Sequence, residues 1–262
     1  MKSVLYIILI ALFLAPVPAL PDAAETRPVV LFDQGHGQAF VIEERGEMQL
    51  SGLAGLFREA GFEVKAGRQA ITPELLSGVD CLIISGPFRP FNNEEAGTIR
   101  NFIKRGGYVS VMIHITPPVI SLLNEFGVVS TNGPVNEVEN IIGEERKNFT
   151  VNRLDPHPLT KGLSRFSVNG TWGLQPKSGT GKVIARTSSK SWIDLNRDDK
   201  LSPGDAAQEF GVVIAGSLGR GEFAVFGDDA IFQNRFLKDE NLLLGKNLVK
   251  WMLEKSSRPL SI

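Results

Sequence analysis

The sequence predicts an α/β fold in which a mainly parallel sheet is flanked by helices and carries a β-rich, irregular insertion. The first observation is that strand-like and helix-like segments alternate from about residue 28 to residue 126, as in parallel βαβ units. The second is a change, at about residues 148–209, to short apolar segments between turns rich in Gly, Ser and Asn. The third is the return of strand and helix patterns after residue 210.

Outside the insertion, six segments are predicted as strands, and most are continuous apolar runs of the kind that is buried on both faces of a sheet. They are residues 28–33, 62–65, 80–85, 108–113, 210–215 and 222–226. Parallel strands place their carboxyl ends along one edge, and folds of this class bind their ligands at that edge.

Helices are predicted from apolar residues at helical spacing and from residues that favour helix ends. Such stripes run through Leu53, Leu56, Phe57 and Ala60 and through Leu244, Leu248, Trp251 and Met252. Thr72 followed by Pro73 predicts the start of a short helix. Asn92 with Glu95 three residues later predicts a capping box, and residues 118–126 form a further predicted helix.

Residues 194–205 have the oxygen spacing of a calcium-binding loop of the EF-hand or dockerin kind. The six ligand positions hold Asp194, Asn196, Asp198, Lys200, Ser202 and Asp205. Lys200 would offer its backbone carbonyl and the others their side-chain oxygens, with Ser202 binding directly or through water. Leu201 matches the apolar position that anchors such a loop to the core. The pattern predicts a structural calcium ion.

Two positions depart from the usual loop. Asp199 stands where glycine is common, because that position tends to need a positive φ, which Asp tolerates better than most residues. Asp205 replaces a longer Glu at the last position. Residues 182–187 upstream indicate a strand, so no helix pair flanks the loop. An acidic, solvated turn without an ion is the alternative.

The N-terminus has the pattern of a signal peptide, predicted over residues 1–22. Lys2 precedes an apolar run at residues 4–14, and residues 17–19 resemble a cleavage site. We therefore expect an exported protein, periplasmic or extracellular, with an uncleaved membrane anchor as the alternative. Residues 23–262 are expected to form a single domain, and the single cysteine, Cys81, excludes an intramolecular disulfide. The net charge of −1 gives no electrostatic basis for nucleic-acid binding.

Several motifs together resemble the class I glutamine amidotransferase-like fold, a flavodoxin-like arrangement. The closer resemblance is to its exported branch, related to the GIFT domains of gliding-motility GldG and of intraflagellar-transport proteins. The motifs are residues 31–38 (LFDQGHGQ), 84–88 (ISGPF), 106–107 (GG), 157–162 (HPLTKG), 227–234 (GDDAIFQN) and 241–251 (NLLLGKNLVKW). The resemblance covers roughly residues 28–116 and 210–254.

The chemistry of the enzymatic relatives does not carry over with the fold. Those enzymes place a nucleophilic cysteine on the turn after a central strand, whereas the corresponding residues 113–117 here are Ile-His-Ile-Thr-Pro. Cys81 lies at the start of a predicted strand among apolar neighbours, as a small core residue does. Glutamine hydrolysis through a thiolate is therefore not expected, and a non-enzymatic role is favoured.

Polar residues nevertheless collect at the predicted strand ends. The expected ligand-binding residues are Asp33, His36, Ser85, Gly86 and His114, and the candidates for catalysis are His36, Ser85, His114 and Asp228. A Ser/His/Asp hydrolase could combine Ser85 with one of the two histidines and Asp33 or Asp228. A metal site from Asp33, His36 and Asp228 is a further hypothesis. Each residue also has a purely structural interpretation as a cap, a core group or a loop residue.

Two functions follow from these features. The first is an exported, non-catalytic amidotransferase-like module that binds a small molecule or a protein partner and is stabilised by calcium. The second is a hydrolase or transferase that uses the His, Asp and Ser residues at the carboxyl edge of the sheet. The contacts of the Ser85 hydroxyl with His36 and His114 discriminate between them.

Overall fold

The fold is built on a ten-stranded sheet, seen in a computed structural model that describes residues 27–177 and 179–256. In chain order the strands are β1 (Val29–Asp33), β2 (Glu63–Gly67), β3 (Cys81–Ser85), β4 (Tyr108–Met112), β5 (Val128–Pro134), β6 (Asn148–Val151), β7 (Arg153–Leu154), β8 (Phe166–Asn169), β9 (Trp172–Pro176), β10 (Lys182–Arg186), β11 (Trp192–Ile193), β12 (Ala206–Ala207), β13 (Gly211–Leu218) and β14 (Gly221–Phe226). The helices are α1 (Ser51–Glu59), α2 (Asn93–Lys104), α3 (Ile120–Phe126) and α4 (Asp239–Ser256), with short 3-10 helices at Pro117–Val119, Pro158–Thr160 and Ala230–Phe232.

One half of the sheet is parallel and the other half antiparallel. The parallel half has the order β2-β1-β3-β4-β14, and the sheet then continues through β13, β10 and β7 in antiparallel pairs. Strand β9 pairs with both β13 and β5. The α/β class is therefore confirmed, and the sheet is mixed rather than mainly parallel. The insertion is part of this architecture, since β7, β9 and β10 belong to the main sheet.

Apolar side chains alternate between the two faces of the parallel strands and pack against different helices. On one face Val30 and Phe32 of β1 join the core that contains Leu53 of α1 and Trp251 of α4. On the other face Leu31 joins a second core with residues of α2 and α3. Both predicted stripes are confirmed, and this two-sided packing explains why β1 and β3 are nearly continuous apolar runs, whereas the edge strand β2 is not.

Two sequence predictions of local structure need correction. Residues 73–78 form a turn instead of a short helix, although Thr72 Oγ1 accepts a hydrogen bond from Leu75 N at 3.2 Å, as a helix cap would. Strand β5 was not predicted; it forms through antiparallel pairing with β9, far away in the sequence. Only its first residue, Val128, is buried, so it lacks the continuous apolar run that identified the other strands.

The predicted signal peptide lies outside the described residues. Within the described part of the chain, no helix combines the length and the apolar character needed to cross a membrane.

The capping box of α2 gives a direct test of local stability. Asn92 Oδ1 accepts from Glu95 N at 2.9 Å, and Glu95 Oε2 accepts from Asn92 N at 3.0 Å. We expect Asn92→Ala to lower the free energy of unfolding by about 1 kcal/mol, the usual loss when an N-cap is removed. Asn93→Ala is the matched control, because Asn93 is exposed and lies inside the first turn. Equal effects of the two substitutions in urea denaturation would contradict the role of the cap.

Candidate functional site

The candidate site lies where the parallel strands end. Asp33 closes β1, Ser85 closes β3, His114 follows β4, and Asp228 and Asp229 follow β14. Because these strands are parallel neighbours, their carboxyl ends share one edge of the sheet. At that edge the side chains form two separate groups, each centred on a histidine.

The first group is the buried triad of Asp33, His36 and Glu95. His36 Nδ1 lies 2.9 Å from Asp33 Oδ2, and His36 Nε2 lies 3.0 Å from Glu95 Oε1. The imidazole also stacks on Phe91, with ring centroids 3.7 Å apart. Only 4% of His36 is exposed. Both ring nitrogens therefore have internal partners, and the structure gives His36 the contacts of a structural cross-link.

The charge of this triad follows from its two carboxylates. Burial lowers the pKa of His36, but the hydrogen bonds and charges of Asp33 and Glu95 outweigh burial and raise the pKa above its usual 6.5. A protonated imidazole donates one N–H to each carboxylate, so that neither charge is left unpaired in the core.

The second group is the pair of His114 and Asp229, which is open to solvent. His114 Nδ1 lies 3.1 Å from Asp229 Oδ1, and 37% of the His114 side chain is exposed. The rings of Phe40 and Phe88 lie 5.4 Å and 5.2 Å from the imidazole. Asp229 accepts a hydrogen bond from His114, and this bond raises the pKa of His114 against the opposing effect of burial. His114 Nε2 forms no hydrogen bond with any described residue, so it is available to a ligand.

Asp228 is buried beside this pair. Its Oδ2 accepts from Asn169 N at 2.6 Å and its Oδ1 accepts from Ala230 N at 2.9 Å. Burial, together with the neighbouring Asp229 carboxylate, raises the pKa of Asp228 to about 8. Asp228 therefore ties β14 to the end of β8.

The loop after β3 approaches His114 without forming a catalytic triad. Ser85 is buried, and its Oγ has no hydrogen-bond partner among the described residues, so it contacts neither His36 nor His114. Gly86 has a φ of 54°, and a Cβ added there would lie 2.5 Å from Asp229 Oδ2. Glycine is thus required for the loop to pass this close to the His114–Asp229 pair.

The predicted metal set of Asp33, His36 and Asp228 is not assembled. In the described part of the chain, a single group of acidic and histidine side chains is close enough to hold a metal, and it consists of Asp194, Asp198 and Asp205. Cys81 is buried at the amino end of β3, away from the site, and burial raises the pKa of its thiol to about 12. A thiol with that pKa has no appreciable thiolate for nucleophilic attack.

A pocket of about 540 Å³ opens beside His114, Asp228 and Asp229. Six of its lining residues escaped the sequence analysis: Lys147, Asn148, Asn169, Trp172, Gln233 and Arg235. Trp172 Nε1 donates to the His114 carbonyl at 3.0 Å, which fixes the aromatic wall. Most of these residues come from the insertion or follow Asp229, and the only available signal was the adjacent motif at residues 227–234.

Residues 194–205 close a hairpin between β11 and β12, which pair antiparallel. One carboxylate oxygen from each of Asp194, Asp198 and Asp205 lies within 4.8 Å of the others. Asp199 has a φ of 57°, the positive value predicted for its position. Three carboxylates this close repel one another unless a cation or N–H donors compensate them.

Backbone N–H groups supply part of that compensation. Asp194 accepts from Arg197 N at 2.6 Å and from Asp199 N at 2.9 Å. Asp205 accepts from Leu195 N at 2.9 Å and from Ser202 N at 2.8 Å, and these bonds lower its pKa. Asn196 and Ser202 lie in the same cluster, joined by a bond of 2.9 Å.

The expected anchoring role of Leu201 is wrong, because 50% of the residue is exposed. The loop instead depends on the hairpin strands and on its own polar contacts. Ile193, at the base of the hairpin, is buried and belongs to the same hydrophobic core as Leu53 and Trp251.

The raised pKa of the buried His36 predicts how the free energy of unfolding varies with pH. The folded-state pKa of His36 lies above 6.5, so its contribution is fully present below about pH 6.5 and is lost as the pH rises through the folded value. Asp228, raised from 3.8 to about 8, acts in the same direction. We expect the urea midpoint to fall from about pH 6 to about pH 8.5, and His36→Gln to flatten that fall. A midpoint that rises over this range would contradict the assignment.

Solved structures share this fold at low sequence identity. The mmIFT52 N-terminal domain is 17% identical, with a TM-score of 0.69 over 89% of this chain and 100% of that one. A cytoplasmic protein from Salmonella typhimurium LT2 is 13% identical, with a TM-score of 0.56 over 86% and 99% of the two chains. A ThuA-like protein from Bacteroides uniformis is 16% identical, with a TM-score of 0.53 over 92% and 97%.

No curated protein matches the sequence. A family model does match, and it covers residues 43–253, which include the His114–Asp229 pair but, of the buried triad, only Glu95. Since this match spans most of the 262 residues, the chain belongs to the family described as a domain of unknown function, DUF4350.

Proposed function

We propose that this chain is an exported, non-catalytic binding module of flavodoxin-like, amidotransferase-like fold, with a structural calcium ion in the loop of residues 194–205. The observation that carries the proposal is the half-exposed His114, held by Asp229 in a pocket of about 540 Å³ at the carboxyl edge of the parallel strands. That volume is typical of small-molecule sites, and crevices at this edge commonly bind ligands in related folds.

Binding without catalysis is favoured because the pocket has a base but lacks a nucleophile beside it. The His114–Asp229 pair has the arrangement that activates a hydroxyl or thiol in hydrolases. Ser85, the nearest candidate in the sequence, is buried and makes no hydrogen bond to either histidine. Cys81 is also buried, at the opposite end of its strand. The hydrolase alternative therefore receives no specific support from the geometry.

The amidotransferase-like part of the proposal rests on the motif order together with the α/β architecture. Export rests on the apolar run at residues 4–14, which precedes the described residues. Export and calcium are mutually consistent, since extracellular calcium is abundant enough to fill sites of submillimolar to millimolar affinity.

The calcium part of the proposal rests on three features of the loop. Oxygen-bearing residues occupy the ligand positions of the motif, the Asp194, Asp198 and Asp205 carboxylates converge, and Asp199 adopts the backbone conformation that the turn needs. In the described part of the chain, none of the three carboxylates forms a salt bridge. A divalent cation would therefore offset the repulsion among them. Its role would be to hold the β11–β12 hairpin closed.

Histidine NMR tests the binding proposal directly, because the chain has three histidines. We expect a library of small polar metabolites to contain compounds that shift the ring signals of His114, since its Nε2 is open to the pocket. The buried His36, with both nitrogens engaged, should keep its shifts and serves as the internal control.

A fluorophosphonate probe, which labels activated serines, separates binding from catalysis. We expect no labelling at Ser85, because its hydroxyl lacks a base. If His114 responds to no compound, the binding proposal fails. If Ser85 is labelled and His114→Ala abolishes the labelling, the hydrolase alternative replaces it.

Melting experiments with and without calcium test the loop. A site of about 0.1 mM affinity in about 10 mM calcium adds about 2.7 kcal/mol to the free energy of unfolding. For a domain of this size the melting temperature would rise by roughly 5–10 °C relative to chelator-treated protein. Asp194→Asn should remove most of the rise.

Asp199→Asn is the matched control, because it removes the same charge from the same loop at a non-ligand position and tolerates a positive φ. It should keep the calcium-dependent rise. The absence of a rise in the native sequence, or an equal loss in both variants, would leave a plain acidic turn as the correct interpretation.

A further inference from the structure

Two basic side chains, Lys147 and Arg235, line the pocket beside the His114–Asp229 pair. The Lys147 ammonium forms no salt bridge within the described ranges. Arg235 is 3.6 Å from Glu47, and both side chains are largely exposed, so water and salt screen that pair.

The acidic residues of the pocket do not cancel this charge. Asp229 is paired with His114, whose pKa the pairing raises. Asp228 is buried, and its two oxygens accept from Asn169 N and Ala230 N. An anion entering the pocket would therefore meet the Lys147 ammonium, which has no carboxylate partner within the described ranges, beside the Arg235 guanidinium.

The pocket also contains a buried hydrogen-bond acceptor without a donor. Gln233 is 1% exposed and lines the pocket, and its Oε1 has no partner among the described residues. Its Nε2 lies 3.5 Å from Asp229 Oδ2. A buried acceptor left unpaired is costly, so a donor such as a hydroxyl group on the ligand would satisfy it.

We propose that the pocket binds a small molecule that carries a hydroxyl group close to a carboxylate or phosphate group. Lys147 and Arg235 would hold the anionic group, and Gln233 Oε1 would accept from the hydroxyl. This proposal rests on the binding function proposed above and narrows it to one chemical class. A lysine ammonium acts as a point charge and pairs with a carboxylate as well as with a phosphate. The experiment therefore has one arm for each anion.

Calorimetry with matched probes tests this ligand class. D-gluconate is compared with sorbitol, which lacks the carboxylate, and with hexanoate, which lacks the hydroxyls. Glycerol 3-phosphate is compared with glycerol as the phosphate arm. We expect at least one of the two hydroxylated anions to bind about tenfold or more tightly than its neutral counterpart, since a hydrogen bond to a charged group is worth at least that factor. We expect gluconate to bind more tightly than hexanoate.

Two variants assign the contacts. Lys147→Gln should weaken the binding of the preferred anion about tenfold and leave the binding of its neutral counterpart unchanged. Lys246→Gln, an exposed position on α4, is the control and should change neither affinity. Gln233→Leu should remove the preference for gluconate over hexanoate. Unchanged melting temperatures establish that the variants are folded.

The outcomes separate this proposal from the broader one. If sorbitol or glycerol binds as tightly as the matched anion, or if no probe binds, the ligand class is overturned. The binding function stands in either case if other compounds shift the His114 signals in the metabolite library. An anion preference that survives in Lys147→Gln also overturns the proposed contact.

Discussion

The carboxyl edge of the sheet depends on one buried carboxylate, that of Glu95. Its Oε1 accepts from His36 Nε2 at 3.0 Å and from Ile71 N at 3.1 Å, and its Oε2 accepts from Asn92 N at 3.0 Å. These bonds join the loop after β1, the segment before β3 and the first turn of α2. Because the carboxylate is buried, each donor is needed to offset its desolvation. The paths of these three segments are thereby fixed relative to one another.

This constraint explains why two histidines at the same edge have different roles. His36 is enclosed by two carboxylates and the Phe91 ring, so its proton is part of the folded structure. His114 has one carboxylate partner and leaves its other nitrogen open beside the pocket. His36 and His114 are the same residue type, and each follows a strand of the parallel half of the sheet. The surroundings of each histidine determine whether it can contact a ligand, and those of His36 include Glu95 from the distant helix α2.

The sequence was informative where local patterns determine structure. The apolar runs of the parallel strands, the stripe of α1 and the capping box at Asn92 were predictable, because each depends on neighbours within a few residues. Pairings across long separations were not, and this is why β5, which pairs with the distant β9, was missed. Of the site, the strand-end residues His114 and Asp228 were found. Lys147 was not, since it belongs to a segment whose position is fixed only by tertiary contacts, and Gln233 entered only as part of the motif at residues 227–234.

The insertion links the acidic loop to the pocket through a continuous set of backbone hydrogen bonds. Trp192, at the base of the loop, exchanges two bonds of 2.8 Å and 2.9 Å with Asn136. Residue 137 then donates to residue 146, Gly170 donates to the Lys147 carbonyl, and Asn169 N donates to Asp228. The hairpin that carries the loop and the wall that carries Lys147 therefore form one hydrogen-bonded unit. Disorder at the base of the hairpin would remove the support of that wall, so a loop that is held closed favours a preformed pocket.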